Sequence, residues 1–214
     1  MINRKDRLHY PYIPTVVVDD FFETPDMIRS FALQQEYFKG NRGYWPGIRS
    51  GFLKDLNYDL YELLQYKILK QLPKFKKIIS LESTFQLINE NYVRGWVHDD
   101  APEVNFAGFI YLSPNPPAGS GTTFFEDTPR PTMMEQYAEV FADDVGRQPD
   151  EPPREEFTKY RNEQLSWFKE TAEVENVYNR AVIFDPRTWH TANNFFGTTR
   201  EDTRLTLVYF GRAE

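Results

Sequence analysis

"DTRLTLVYFG" (residues 202–211) alternates without a break: Arg204, Thr206 and Val208 point one way, Leu205, Leu207 and Tyr209 the other. Successive side chains of an extended chain face opposite sides of a sheet, so the pattern reads as a strand between two environments. One face is plain apolar core. The other sets an arginine and a threonine among apolar neighbours, which is costly unless both find partners. A guanidinium forks onto a carboxylate through two parallel hydrogen bonds, and a neighbouring hydroxyl can add a third. A structural Asp or Glu would satisfy the arginine. A buried dicarboxylate ligand would explain the threonine as well.

Upstream, "NRAVIFDPRTWH" (179–190) carries an apolar strand through an Asp185-Pro186 turn to His190. Further upstream, "NYVRGWVHDDAPEVNF" (91–106) holds another of the three histidines, followed by two aspartates. In an extended segment His98 and Asp100 share a face, with Asp99 opposite. Each piece alone has a bland reading: a polar turn for residues 98–100, a rim histidine packed on Trp189 or Phe195 for His190. Together, two imidazoles and a carboxylate with open coordination positions describe the ligand set of non-haem Fe(II) sites.

Composition bounds the answer. The chain has 214 residues, 40% hydrophobic and 16% aromatic, enough for one sizeable core. No apolar stretch approaches the ~20 residues of a membrane helix, and "MINRKDRLHY" lacks the apolar centre of a secretory signal. Without cysteine there is no disulfide, thiolate metal site or cysteine nucleophile, and a cytoplasmic location is expected. Residues 127–175 hold 13 acidic and 6 basic residues, which accounts for the entire net charge of −7. Such a surface disfavours a phosphate backbone, so nucleic acid is not expected as a partner.

Along the chain, "TVVVDDFF" (15–22) reads as a strand. A helix should follow, with Thr24 as N-cap, Pro25 at its first position, Met27, Ile28, Phe31 and Phe38 on its apolar face, and Gly40 past its end. Residues 41–51 read as a loop. A second helix is expected over about 57–72, with Leu60, Tyr61, Leu64, Ile68 and Leu72 at helical spacing and Pro73 as its stop. From residue 83 the pattern becomes short β-branched or aromatic segments: 83–93, 104–113, 122–126, 177–185 and 203–210. They point to a mainly β sandwich or barrel, of which a double-sheet jelly roll is one form. The acidic block interrupts them, with Pro149, Pro152 and Pro153 and a helix near 154–170.

His98-x-Asp100, His190 and Arg204-x-Thr206, in that order, resemble the signature of the 2-oxoglutarate- and Fe(II)-dependent dioxygenases, especially the prolyl-4-hydroxylase-like branch. "FIYLSPNPPAGSGTTFFE" resembles that branch's strand, loop and Gly-x-Thr-x-Phe stretch, at Gly121, Thr123 and Phe125. Tyr92 and Gly95 resemble its Tyr-x-x-Gly lead-in. The resemblance spans about residues 83–126 and 177–212. It implies a single domain, a double-stranded β-helix (a jelly-roll, cupin-like barrel) with N-terminal helices packed on one sheet. It implies Fe(II) on His98, Asp100 and His190, with 2-oxoglutarate clamped by Arg204 and Thr206 and contacted by Tyr92. It implies O₂ as co-reactant and hydroxylation of a small molecule or peptide, peptidyl or free amino acid before others. Arg200 is a rival to Arg204, nearer the family's usual spacing but in a polar loop. The acidic insertion, about 127–175, falls where the family places loops that cover the pocket mouth.

Two other readings stay open. A Zn²⁺ hydrolase could use the same three ligands, with Asp99 or Glu103 as general base, but leaves Arg204 and Thr206 unexplained. A non-catalytic jelly-roll module could bind through Trp96, Trp189 and Tyr44–Trp45.

Overall fold

A computed structural model describes residues 11–39, 45–100, 103–127, 131–148, 150–151 and 154–214. Gly40, Tyr44, Pro149, Pro152 and Pro153, which entered the sequence reading, lie outside them. In chain order the elements are β1 (Val16–Val18), α1 (Pro25–Leu33), β2 (Tyr37–Lys39), β3 (Ile48–Ser50), α2 (Leu53–Leu56) and α3 (Tyr58–Gln71). Then come β4 (Ile78–Ile88), β5 (Phe106–Tyr111), β6 (Thr122–Phe125), α4 (Ala138–Gly146) and α5 (Glu155–Leu165). The chain closes with β7 (Glu170–Val174), β8 (Ala181–Phe184), β9 (His190–Ala192) and β10 (Arg204–Ala213).

Seven strands form one antiparallel sheet in the order β1-β8-β5-β10-β4-β3-β2, and three form a second, β7-β6-β9. The alternation of β10 sorts the two faces of the large sheet. Leu205, Leu207 and Tyr209 join Phe85, Ile110 and Ile183 on the outer face, against Ile28 of α1 and Leu60, Leu64 and Ile68 of α3. The inner face turns toward the small sheet, where Phe109, Tyr111, Val182 and Phe184 meet Phe124 of β6. The N-terminal helices therefore cover one side of the large sheet and leave the other to line the space between the sheets. Burying these two apolar layers is the main source of stability.

The second helix lies where its periodicity puts it, with Asn57 accepting a hydrogen bond from the Leu60 N–H as its cap. The first helix is shorter than expected. It ends at Leu33, Met27 is 70% exposed, and Phe38 sits on β2 at 58% exposed. Pairing of Tyr37–Lys39 with Ile48–Ser50 draws that segment into the sheet edge, and sheet pairing overrides helical spacing. Thr24 occupies the N-cap position, but its side chain makes no capping bond. The expected loop at 41–51 contains β3, entered through Gly47 at φ +75°, where a Cβ would lie 2.1 Å from the Leu87 carbonyl oxygen. Of the strand expected over 83–93, the part after Ile88 is a 3₁₀ turn, Glu90–Tyr92. The helix expected near 154–170 ends at Leu165, and α4, β7 and β9 were not anticipated.

Candidate metal centre and its cavity

His190 opens β9, and residue 98 pairs with it as an isolated antiparallel bridge. The two exchange backbone hydrogen bonds, His98 N–H to the His190 carbonyl at 3.0 Å and the reverse at 2.9 Å, while Asp100 N–H donates to the Pro186 carbonyl at 2.8 Å. This brings one ligand atom each of His98, Asp100 and His190 within 4.8 Å of one another. Asp100 Oδ1 lies 3.9 Å from His98 Nε2, and Oδ2 lies 3.8 Å from His190 Nε2. The Nδ1 atoms face the carbonyls of Trp96 (2.8 Å) and Thr188 (3.0 Å). A carbonyl only accepts, so each Nδ1 carries the proton and each Nε2 presents its lone pair. Burial and then the neighbouring His98 hold His190 well below the ordinary histidine pKa, which keeps it neutral as a ligand must be. His98 is the exposed member of the three and leaves the cluster open on its side. The donor set fits a divalent transition metal.

On β10, Arg204 is 4% and Thr206 1% exposed. Arg204 Nε and Thr206 Oγ1 are buried without a hydrogen-bond partner, and among the described residues no carboxylate pairs with Arg204. Its guanidinium rests 5.4 Å from the Tyr111 ring centroid and 5.6 Å from that of Phe195. Thr206 pairs across the sheet with Tyr111 on one side and Gln86 on the other, so these side chains share the inner face. Tyr111 is a polar group that the sequence reading passed over, because its segment reads as plain apolar strand. Its hydroxyl lies 2.8 Å from Thr122 Oγ1 and beside Arg204.

The two other expected contacts lie elsewhere. Arg200 is on the outside, donating to the Leu33 and Gln35 carbonyls at 3.0 and 3.2 Å, where it caps the end of α1. Tyr92 is buried in a cluster with Ile88 and Phe195, its hydroxyl donating to the Arg147 carbonyl at 3.2 Å and its ring stacked under the Arg147 guanidinium. It does not line the cavity, and its contacts instead anchor the chain ahead of His98. A hydroxyl committed to a backbone carbonyl outside the cavity cannot also meet a ligand within it.

One cavity of about 950 Å³ holds the histidines, Asp100, Arg204 and Thr206 together. Its far wall comes from the acidic segment, through Met134, Tyr137, Phe141 and Val145 and, beyond α4, Gln164 and Trp167. That segment is tied down by charge buried beneath it. Asp144 receives the Trp96 indole N–H at 2.7 Å and pairs with Arg147 at 3.2 Å and Arg161 at 3.0 Å. Arg161 also donates to the Tyr92 and Arg94 carbonyls, and Gln164 bonds both the N–H and the carbonyl of Val97, at 2.8 and 2.7 Å. Helices α4 and α5 thus clamp the chain that leads into His98. Trp96 and Trp189, 5% and 1% exposed, are packing residues and not an external binding surface.

A sequence model described as "Family of unknown function (DUF6445)" matches residues 4–210. The chain belongs to this family. No curated protein matches the DUF6445 chain in sequence. Solved structures match it across most of its length. A prolyl hydroxylase from Trichoplax adhaerens, in complex with a hypoxia inducible factor oxygen degradation domain peptide fragment, is 11% identical with a TM-score of 0.58, covering 92% of this chain and 83% of that one. HygX from Streptomyces hygroscopicus, with nickel and 2-oxoglutarate bound, is 11% identical with a TM-score of 0.57 over 99% and 88% of the two chains. The non-haem alpha ketoglutarate dependent epimerase SnoN from nogalamycin biosynthesis is 16% identical with a TM-score of 0.54 over 96% and 81%. The DUF6445 chain has the double-stranded β-helix fold of the 2-oxoglutarate- and Fe(II)-dependent oxygenases, prolyl hydroxylases among them. Among its described residues no helix is long and apolar enough to cross a membrane.

Proposed function

We propose that this protein is a 2-oxoglutarate-dependent non-haem iron oxygenase that hydroxylates a small-molecule or peptide substrate, a peptidyl or free amino acid before others. One observation carries the reading: a His98–Asp100–His190 cluster shares a cavity with a buried arginine that no carboxylate of the described residues pairs and a buried threonine whose hydroxyl has no hydrogen-bond partner. A zinc hydrolase would account for the first group and not the second. His98, Asp100 and His190 would hold Fe(II), and Arg204 with Thr206 and Tyr111 would hold the distal carboxylate of 2-oxoglutarate. The metal, when bound, would let O₂ act as the oxidant, one oxygen atom going to the oxo acid as it becomes succinate and CO₂ and the other to the substrate.

The chain's own contribution is position and exclusion. Carbonyls of Trp96 and Thr188 orient the imidazoles. Phe184, with its centroid 4.6 Å from that of His190, and Phe124, at 6.1 Å, keep water from the inner side of the cluster. Hydroxylation is favoured as the simplest outcome for a bound C–H group, while SnoN, on the same fold, is described as an epimerase.

The test is anaerobic titration of the purified chain with Fe(II) and then 2-oxoglutarate, followed by succinate release on admitting air. A visible charge-transfer band that needs both additions, and is absent in His98→Ala, Asp100→Ala and His190→Ala proteins of native secondary structure, is the expected result. Tight zinc binding with no 2-oxoglutarate-dependent band would return the site to hydrolase chemistry.

A further inference from the structure

The cavity holds a second pair of unsatisfied donors that the proposed co-substrate does not use. Arg49 lies on β3, opposite Gln86, in the same cross-strand row as Thr206 and Tyr111, so its side chain faces inward. Its Nε is buried without a hydrogen-bond partner, and among the described residues its guanidinium forms no ion pair. It stacks over the Trp45 ring at 4.3 Å and lies 5.8 Å from the Phe210 centroid. Trp45 Nε1 is likewise buried and unpartnered, and both residues line the cavity. Burial lowers the Arg49 pKa to about 10, with Asp100 and Glu82 opposing, so it remains a cation at neutral pH. One strand, β4, lies between it and Thr206, so the two are two strand spacings apart, about 10 Å.

Buried donors are satisfied in native structures, and a buried guanidinium that no carboxylate of the described residues reaches within ion-pair distance is a place for a ligand anion. Stacking on Trp45 covers the flat face of the guanidinium and leaves its edge, which suits a planar carboxylate in a forked contact. The same cavity is lined by Glu82 and Glu103. Those carboxylates would repel a doubly charged phosphate more strongly than a single carboxylate, and would attract an ammonium group.

We infer that Arg49 and Trp45 form a substrate subsite that takes the carboxylate of a free amino acid, whose ammonium group is met by Glu82 and Glu103. This rests on the oxygenase reading for what happens to the bound molecule, but not for the binding itself. Of the two classes left open by sequence, free and peptidyl amino acid, the subsite selects the free one, since a residue within a peptide has no α-carboxylate and α-ammonium pair to offer.

Calorimetric titration of the purified full chain tests this, with the common L-amino acids, their methyl esters, their N-acetyl amides and inorganic phosphate as probes, and 2-oxoglutarate in parallel. At least one amino acid should bind, its ester and amide about 30-fold or more weakly, the scale expected on losing a buried charge-assisted contact. Arg49→Met should lose the amino acid by a similar factor and leave 2-oxoglutarate within about threefold; Arg49→Lys should recover part of the loss, and Trp45→Phe should weaken binding a few-fold. Glu82→Gln should weaken the amino acid but not its des-amino acid analogue. Equal binding of amide and free acid, preference for phosphate, no amino acid bound by the wild-type chain, or loss of 2-oxoglutarate instead of amino acid in Arg49→Met would each overturn the subsite. Amino-acid binding that persists in a chain unable to bind Fe(II) and 2-oxoglutarate would sink the oxygenase reading alone.

Discussion

Asp144→Ala removes the one carboxylate between two buried guanidinium groups. Asp144, Arg147 and Arg161 are 2%, 4% and 1% exposed, so water cannot take its place. Each arginine keeps carbonyl acceptors, Arg147 those of Asn91 and Glu151 and Arg161 those of Tyr92 and Arg94, but neither keeps an opposite charge. Trp96 loses its indole acceptor as well. Removing one member of a buried ion pair costs about 3–5 kcal/mol, against the ~5–15 kcal/mol that holds a whole domain together. Urea unfolding followed by tryptophan fluorescence should therefore show a midpoint shifted by a large fraction of its value. Asp143→Ala is the control: that neighbour is exposed and pairs with Arg154 at 2.8 Å, an arrangement worth about 0–1 kcal/mol. Replacing all three, as Asp144→Leu with Arg147→Met and Arg161→Met, should recover part of the loss, because no charge is then left unpaired. Because the network grips residues 91–97, ahead of His98, metal affinity in Asp144→Ala should fall even at urea concentrations where the chain stays folded. A cost below about 1 kcal/mol, no larger than that of Asp143→Ala, would show that the cluster does not hold the wall in place.

Arg204→Met should raise the 2-oxoglutarate KM by the equivalent of about 2–5 kcal/mol, while Arg200→Ala, on the outer surface, should leave it unchanged; the reverse ranking in steady-state assays would move the clamp to the loop. Tyr92→Phe should lower unfolding free energy by about 0.5–1.5 kcal/mol without altering 2-oxoglutarate affinity, and a raised dissociation constant would restore Tyr92 to the cavity. Gly108→Ala should destabilise by about 1–3 kcal/mol, since its Cβ would sit 2.2 Å from the Val182 carbonyl oxygen and 2.6 Å from the Tyr209 ring; an unchanged melting temperature would mean the central strands can spread there.

What the sequence made legible followed from period and order. The two-residue alternation at 204–210 separates the helix-packed face from the cavity face, and the spacing His98-x-Asp100 aligns two side chains whatever their surroundings. The helix over 58–71 declares itself through Leu60, Leu64 and Ile68. What escaped depends on partners distant in sequence. Strand β2 is a strand only because β3 lies beside it, and Phe38 carried a helical spacing by coincidence. Arg49 sat in a segment of turn residues, with nothing nearby to signal that Gln86 would place it inside. Tyr92 matched a motif position, yet Arg147 of the acidic segment, whose charge spoke only against a nucleic-acid partner, claims its hydroxyl and ring. Net charge describes a surface and says little about the few ionised groups beneath it. For that reason, replacing about residues 130–170 by a short linker would strip cover from Tyr92 and Trp96, and metal binding should weaken.

The reciprocal backbone bonds between residues 98 and 190 change what a metal can contribute to this chain. In small metal-folded domains the ion closes the loop, and its binding energy appears as folding energy. Here the sheet closes it. The entropy of joining two distant segments is met by strand pairing and by the apolar layers behind it, before any ion arrives. The expected apo chain is folded, with a melting temperature only modestly raised by metal through mass action. Its refolding should be slow, set by assembly of these long-range contacts, and should not speed up when metal is added from the start.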